Sequence, residues 1–223
     1  MWSILKRLAN IRSHDSLVNR LRRRRFTLFK SLLSSLPRPL KILDAGGTIN
    51  FWDMMDFRPE EGTEIYIYNL TKDQKQSNGY ICVEGNAVDM SQYRNGEFDL
   101  VFSNSVIEHV GNYDDQKRMA DEIIRVGKRY FLQTPNYYFP LEPHFLFPFF
   151  QYFPIPFKLF LVLHLRAFRG KKILDKTKAL NLIKSINLLT FKKLKRLFPE
   201  ATIYRERMLG LTKSLTAVGG WNH

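Results

Sequence analysis

Cysteine is nearly missing from this chain. Cys82 stands alone among 223 residues, which excludes an intrachain disulfide and any cysteine-based zinc site. That usage points to a reducing compartment. Long apolar runs are missing too. Phe157–Leu165 is far short of the ~20 residues a bilayer span needs, and Pro148, Pro154 and Pro156 break up the Phe-rich stretch around its start. Trp2, Ile4, Leu5 and Leu8 form a helical stripe opposite Lys6 and Arg7, but no apolar core or small-residue cleavage site of a secretory leader follows. The chain has no repeats and no low-complexity linker. It also lacks Gly-x-Gly-x-x-Gly with an acid about 20 residues on, the pattern an NAD-type site requires. No metal site is expected.

What is present suits one globular domain: 44% hydrophobic and 25% charged residues. The net charge of +14 is unevenly spread. Residues 1–40 carry +9, residues 41–156 carry −7, and residues 157–198 carry +11. An acidic centre of that size counts against a protein built to coat DNA.

Phe26, Leu28, Phe29, Leu32, Leu33 and Leu36 recur at helical spacing and stop at Pro37 and Pro39. The period then changes. Lys41–Gly47 reads as a buried strand ending in a glycine turn, followed by strands at Glu64–Asn69, Tyr80–Val83, Phe98–Ser103 and Arg129–Thr134. Tyr113–Val126 reads as a helix, with Met119, Ile123 and Val126 on one face. A second helix, Thr190–Phe198, has Thr190 as N-cap, and the strand-like runs Ala201–Met208 and Lys213–Val218 close the chain. Strands spaced by helix-length segments predict an α/β, Rossmann-like, doubly wound sheet, mostly parallel with a C-terminal antiparallel hairpin strand. Basic N-terminal helices are expected over 1–40 and the main domain over 41–223, with a Phe/Pro-rich and basic insertion at about 135–185.

In such a sheet, ligands bind beyond the carboxyl ends of the strands. Those ends supply Asp44, Gly46 and Gly47, then Asn69, Asn86, and Ser103, Asn104 and Ser105. The spacings are 25 residues from Asp44 to Asn69, 17 to Asn86 and 18 to Asn104. Together they make a polar rim able to hold a nucleoside.

Ile42–Thr48 (Ile-Leu-Asp-Ala-Gly-Gly-Thr), Gly85–Met90 and, above all, Phe98–Val110 (Phe-Asp-Leu-Val-Phe-Ser-Asn-Ser-Val-Ile-Glu-His-Val) carry a family likeness. Over roughly Lys41 to Thr134 the chain resembles the class I S-adenosylmethionine-dependent methyltransferases, of the type 11 kind. The resemblance implies an enzyme that binds S-adenosylmethionine and releases S-adenosylhomocysteine. On that likeness Gly46 and Gly47 let the backbone approach the methionine moiety with Asp44 nearby. Asn69 holds the ribose hydroxyls, Asn86 and Ala87 meet the adenine, and Asn104 lines the site. Of the usual three alternating glycines only Gly46 is in place, with Thr48 and Asn50 at the other positions. Asn69 and Asn86 stand where the family carries acids, so their hydrogen bonds lack charge assistance.

His109 and His144 are the candidate catalytic residues. His109 follows the fourth strand and either faces the reacting groups or braces the next helix. His144, in a proline-stiffened loop, either enters a pocket or has a structural role. Methyl transfer needs mainly alignment and a dry pocket, and a base only when the acceptor must lose a proton. The Phe-rich stretch beside Lys171, Lys172, Lys176 and Lys178 suits an anionic membrane surface. The expected acceptor is therefore a small or lipid-linked molecule, and the expected location is cytoplasmic, peripheral to the inner face of a membrane. Two alternatives stand beside this. A nucleic-acid methyltransferase is less favoured, since Asn104-Ser-Val-Ile replaces the Asn/Asp-Pro-Pro-Tyr type of motif. A catalytically degenerate, membrane-associated interaction protein of the same fold rests on Asn69 and Asn86.

Overall fold

The computed structural model describes residues 17–59, 61–71, 79–164 and 173–221. The expected amphipathic stripe at Trp2–Leu8 lies outside these residues, as do Lys171 and Lys172.

An apolar run reading Leu-Lys-Ile-Leu-Asp-Ala makes β1 (Leu40–Ala45), buried on both faces at the middle of the sheet. β2 (Thr63–Asn69) and β3 (Tyr80–Glu84) extend the sheet to one side in parallel register, with Ile42 opposite Ile65 and Ile67 opposite Cys82. β4 (Leu100–Asn104) and β5 (Tyr130–Pro135) extend it in parallel to the other. Two short strands, β6 (Leu141–Glu142) and β7 (Phe147–Pro148), form a separate ribbon. β8 (Thr202–Met208) and β9 (Leu211–Gly219) complete the main sheet, β9 running antiparallel to β5. The spatial order is β3-β2-β1-β4-β5-β9-β8. Strand order reverses between β1 and β4, so the crevice of a doubly wound sheet opens at their carboxyl ends.

Helices cover both faces. On one, α1 (Leu17–Leu33) and α2 (Ile49–Met54) bury Phe26, Phe29 and Trp52 against Phe102 and Phe131. Phe102 and Phe131 stack across neighbouring strands at 5.7 Å, and the Phe29 ring stands edge-on 4.8 Å from Phe102. Burying a ring such as Phe29 contributes about 2–3 kcal/mol, so the N-terminal helix is part of the domain core. On the other face, α3 (Tyr113–Val126) buries Met119, Ile123 and Val126. Its start is fixed by a capping box in which Asn112 accepts from the Asp115 N–H and Asp115 accepts from the Asn112 N–H.

The insertion between β5 and β8 contains α4 (Ile155–His164), α5 (Lys176–Lys184) and α6 (Phe191–Leu197). Phe145, Phe150, Leu161, Val162, Ala179 and Ile183 give it a small core of its own. α6 returns to the main core through Leu194 and Leu197. The prolines keep the Phe-rich stretch from forming one helix, as expected, and a helix begins only at Ile155. Pro156 sits in the first turn of α4, where its missing N–H would be unpaired anyway. The closing hairpin turns on Leu209 and Gly210 alone, both at positive φ (51° and 78°).

Candidate active site

β1 ends in a turn built around Asp44, which is 1% exposed. The Trp52 indole N–H donates to Asp44 Oδ2 at 2.7 Å, while Oδ1 has no hydrogen-bond partner among the described residues. Burial pushes the Asp44 carboxyl up to about 7, with the Trp52 hydrogen bond opposing it. Gly46 has φ +81°, and a Cβ there would lie 2.4 Å from Val106 Cγ1; a Cβ on Gly47 would lie 1.7 Å from Asp44 Oδ2. These glycines are thus demanded by the protein's own packing, a reason separate from the ligand approach expected of them.

Asn69, at the end of β2, donates from Nδ2 to the Gly47 carbonyl at 2.9 Å and accepts the Leu70 N–H at 2.8 Å. Its carboxamide ties the glycine turn to the neighbouring strand. The Asn86 side chain is exposed and accepts the Val88 N–H at 3.2 Å, so it shapes the loop that buries Ala87. Asn104 is half-buried at the end of β4, in a crevice it shares with Arg25 and Phe51. The strand ends expected to form the rim are brought to one edge of the sheet.

A second group gathers where β4 passes into the next helix. Ser105 takes φ +56° and donates to Gln133 Oε1 at 2.9 Å, which turns the chain into a short 3-10 turn, Ile107–His109. Glu108 in that turn is 0% exposed. Thr134 Oγ1 donates to Glu108 Oε2 at 2.9 Å, and Glu108 Oε1 has no hydrogen-bond partner among the described residues. The Asn187 N–H donates to the Glu108 carbonyl at 2.7 Å, and the Gln116 amide donates to the carbonyls of Ile107 and Asn187. The turn is held from three sides. Burial raises the Glu108 carboxyl to about 7, and the neighbouring His144 opposes the rise.

His144 comes from the insertion, in the ribbon between β6 and β7. Its Nδ1 lies 2.7 Å from Glu142 Oε1, and the other Glu142 oxygen accepts the Phe145 N–H. Nδ1 is therefore the nitrogen turned to Glu142, and Nε2 faces Glu108 Oε1 at 3.9 Å. The exposed His109 meets the same ring edge-on, with ring centroids 4.6 Å apart. The two expected histidines, 35 residues apart in sequence, are therefore neighbours. Glu142, Thr134 and the buried role of Glu108 escaped the sequence reading. Only the Glu108-His109 pairing marked the place.

Beside Glu142 a cavity of about 250 Å³ opens between α3 and the insertion, lined among others by Tyr137, Phe145, Phe150, Gln151 and Lys158.

Comparison with known proteins bears on this arrangement. Residues 62–130 match the family described as "Methyltransferase domain". No curated protein matches the chain. Among solved structures, the selenomethionine-substituted CurJ carbon methyltransferase superposes with TM-score 0.58 at 13% identity, over 92% of this chain and 55% of that one. The chain thus spans about half the length of that protein. The PH0226 protein of Pyrococcus horikoshii gives TM-score 0.52 at 14% identity, over 97% of this chain and 96% of that one. A protein of Bordetella parapertussis described as a possible exported protein gives 0.56 at 10% identity, over 97% and 78%. The chain therefore shares its fold with the CurJ carbon methyltransferase, and its residues 62–130 match the methyltransferase-domain family.

Proposed function

We propose that this chain is an S-adenosylmethionine-dependent methyltransferase and acts on a small-molecule or lipid-linked acceptor whose reactive end enters the cavity between α3 and the insertion. The observation that carries the reading is that this cavity is lined by Glu142, the residue that orients His144. At about 250 Å³ the cavity is below the ~300–1,000 Å³ usual for drug-sized ligands. It suits a small acceptor or the head of a larger one.

The residues present fit the cofactor. Among the described residues a buried carboxyl oxygen of Asp44 lacks a donor at the turn where the strand order reverses, which suits a cationic or hydroxyl donor. Asp44, the backbone of Gly46 and Gly47, Asn69, Asn86, Ala87 and Asn104 would hold it. When bound, S-adenosylmethionine supplies an electrophilic methyl group on a sulfonium. The chain's own task is then alignment and exclusion of water. Phe145 and Phe150, stacked at 4.1 Å, wall the acceptor side. An acceptor hydroxyl that must shed a proton would pass it to the Glu108, His109 and His144 cluster, which Glu142 links to the cavity.

Labelling with methyl-deuterated S-adenosylmethionine in a cell extract tests this. Label is expected in low-mass or lipid-extractable products and to be lost in His144→Gln; label confined to nucleic acid overturns the reading.

One observation favours a lipid-linked acceptor at an anionic bilayer. Phe149, Tyr152, Ile155, Phe157 and Phe160 are all exposed on consecutive segments of the insertion, just before and at the start of the 157–198 stretch that carries +11. No helix among the described residues is long and apolar enough to cross a membrane. Sedimentation with anionic vesicles at low and high salt separates the electrostatic part, which weakens with salt, from inserted aromatics, which hold. Failure to bind at low salt overturns the membrane reading alone.

A further inference from the structure

Between β4 and the insertion one buried carboxylate oxygen lacks a hydrogen bond. Among the described residues, Glu108 Oε1 is fully buried with no hydrogen-bond partner. A buried carboxylate oxygen in that state is costly unless something positive faces it. His144 Nε2 stands at 3.9 Å, beyond hydrogen-bond reach, and its Nδ1 is turned to Glu142 Oε1 at 2.7 Å. The nitrogen and the carboxylate oxygen thus face each other with no hydrogen bond between them. His109 adds a second imidazole, and one donor atom from each of the three side chains lies within 4.8 Å of the other two.

We propose that Glu108, His109 and His144 form a binding site for a divalent transition-metal ion. Two imidazole nitrogens and one carboxylate oxygen suit zinc, iron or cobalt, whereas magnesium and calcium take oxygen-rich sites. Ligands about 2.0–2.1 Å from a shared tetrahedral ion stand roughly 3.4 Å from one another. The 3.9 Å gap between Glu108 and His144 therefore closes with a side-chain adjustment of about half an ångström. His109 is exposed and provides the access path.

The surroundings are those of a supported metal site. Glu142 holds the far nitrogen of His144, and Thr134 holds the far oxygen of Glu108, so both ligands are fixed in direction. Three protein ligands leave at least one position open. Its consequence rests on the acceptor reading above: an acceptor oxygen bound there would ionise more readily, releasing its proton to water before it attacks the methyl carbon.

The test uses the full chain without a histidine tag, stripped with chelator and titrated with ZnCl₂ and with CoCl₂. One equivalent is expected to bind, with visible cobalt absorption of a four- or five-coordinate site. His109→Ala and His144→Ala should each weaken binding by about tenfold or more. Glu108→Gln is the third variant, and if its buried position prevents folding, the exposed His109 still decides the matter. Absence of stoichiometric binding, or binding indifferent to His109→Ala and His144→Ala, overturns the site; a proton shared between Glu108 and His144 is then the answer to the buried charge. Calorimetry with S-adenosylhomocysteine on the same preparations keeps the two readings apart. Nucleoside binding without metal overturns the metal site alone. Metal binding without nucleoside binding overturns the methyl-transfer reading and leaves the site standing.

Discussion

Replacing Asp44 by Asn probes the turn on which the cofactor end of the sheet depends. Burial raises this carboxyl from 3.8 to about 7. The folded protein therefore holds the proton more tightly than the unfolded chain does. Between those two values the unfolded chain is ionised and the folded one is not, so stability is complete below pH 3.8, falls as pH rises, and levels off above 7. Roughly three pH units at about 1.36 kcal/mol each give about 4 kcal/mol in all, of which about 2–3 kcal/mol fall between pH 5 and pH 8. Asn has nearly the same shape, its oxygen can keep the Trp52 N–H, and it does not titrate. Urea unfolding of both proteins across that range gives the measurement. Subtracting wild type from variant at each pH removes the contribution of Glu108, whose carboxyl also rises to about 7. Asp44→Asn should gain on wild type by about 2–3 kcal/mol between pH 5 and pH 8. Parallel curves for the two proteins would refute the assignment of a neutral, buried Asp44.

Asn69→Ala removes the Nδ2 bond to Gly47 and the acceptor for Leu70, and should cost about 1–2 kcal/mol in unfolding free energy as well as weakening cofactor binding; unchanged stability would mean that the turn is held elsewhere. Gly46→Ala places a Cβ 2.4 Å from Val106 at φ +81° and should destabilise by roughly 1–3 kcal/mol. Adding Val106→Ala should return part of that loss, whereas simple additivity in chemical denaturation would count against the contact. Glu142→Gln cannot accept from both His144 and Phe145, so turnover should fall on the order of tenfold, with a changed pH profile that a purely structural role would not produce.

The sheet was legible because its strands are short apolar runs ending in polar residues, as in Phe98–Ser103, and because Gly, Pro and Asn punctuate them. α3 was legible from Met119, Ile123 and Val126 at helical spacing. α4 was hidden because Pro154 and Pro156 look like breakers, while in space Pro156 occupies the first turn. α2 was hidden by its shortness and by Phe51 and Trp52, whose burial owes everything to the facing α1 and β4. At the site, the strand-end positions were readable but the backbone bonds their side chains make were not. Asn69 and Asn86 read as ligand contacts, and their amides are engaged with backbone. The meeting of Glu108, His109, Glu142 and His144 depends on how the insertion folds back over β4, and no local pattern encodes that.

The amide at position 69 also sets a limit on how this sheet edge could be redesigned. A carboxylate has no hydrogen to give, so Asn69→Asp would set an anionic oxygen against the Gly47 carbonyl, where Nδ2 now donates at 2.9 Å. The charge that would grip a ribose and the latch that holds the glycine turn exclude each other at this one side chain. An acid there strengthens a contact only after the ligand has arrived, whereas the amide fixes the shape of the turn beforehand. Recovering the charged grip would therefore require a second donor for the Gly47 carbonyl, supplied from the segment that follows β2.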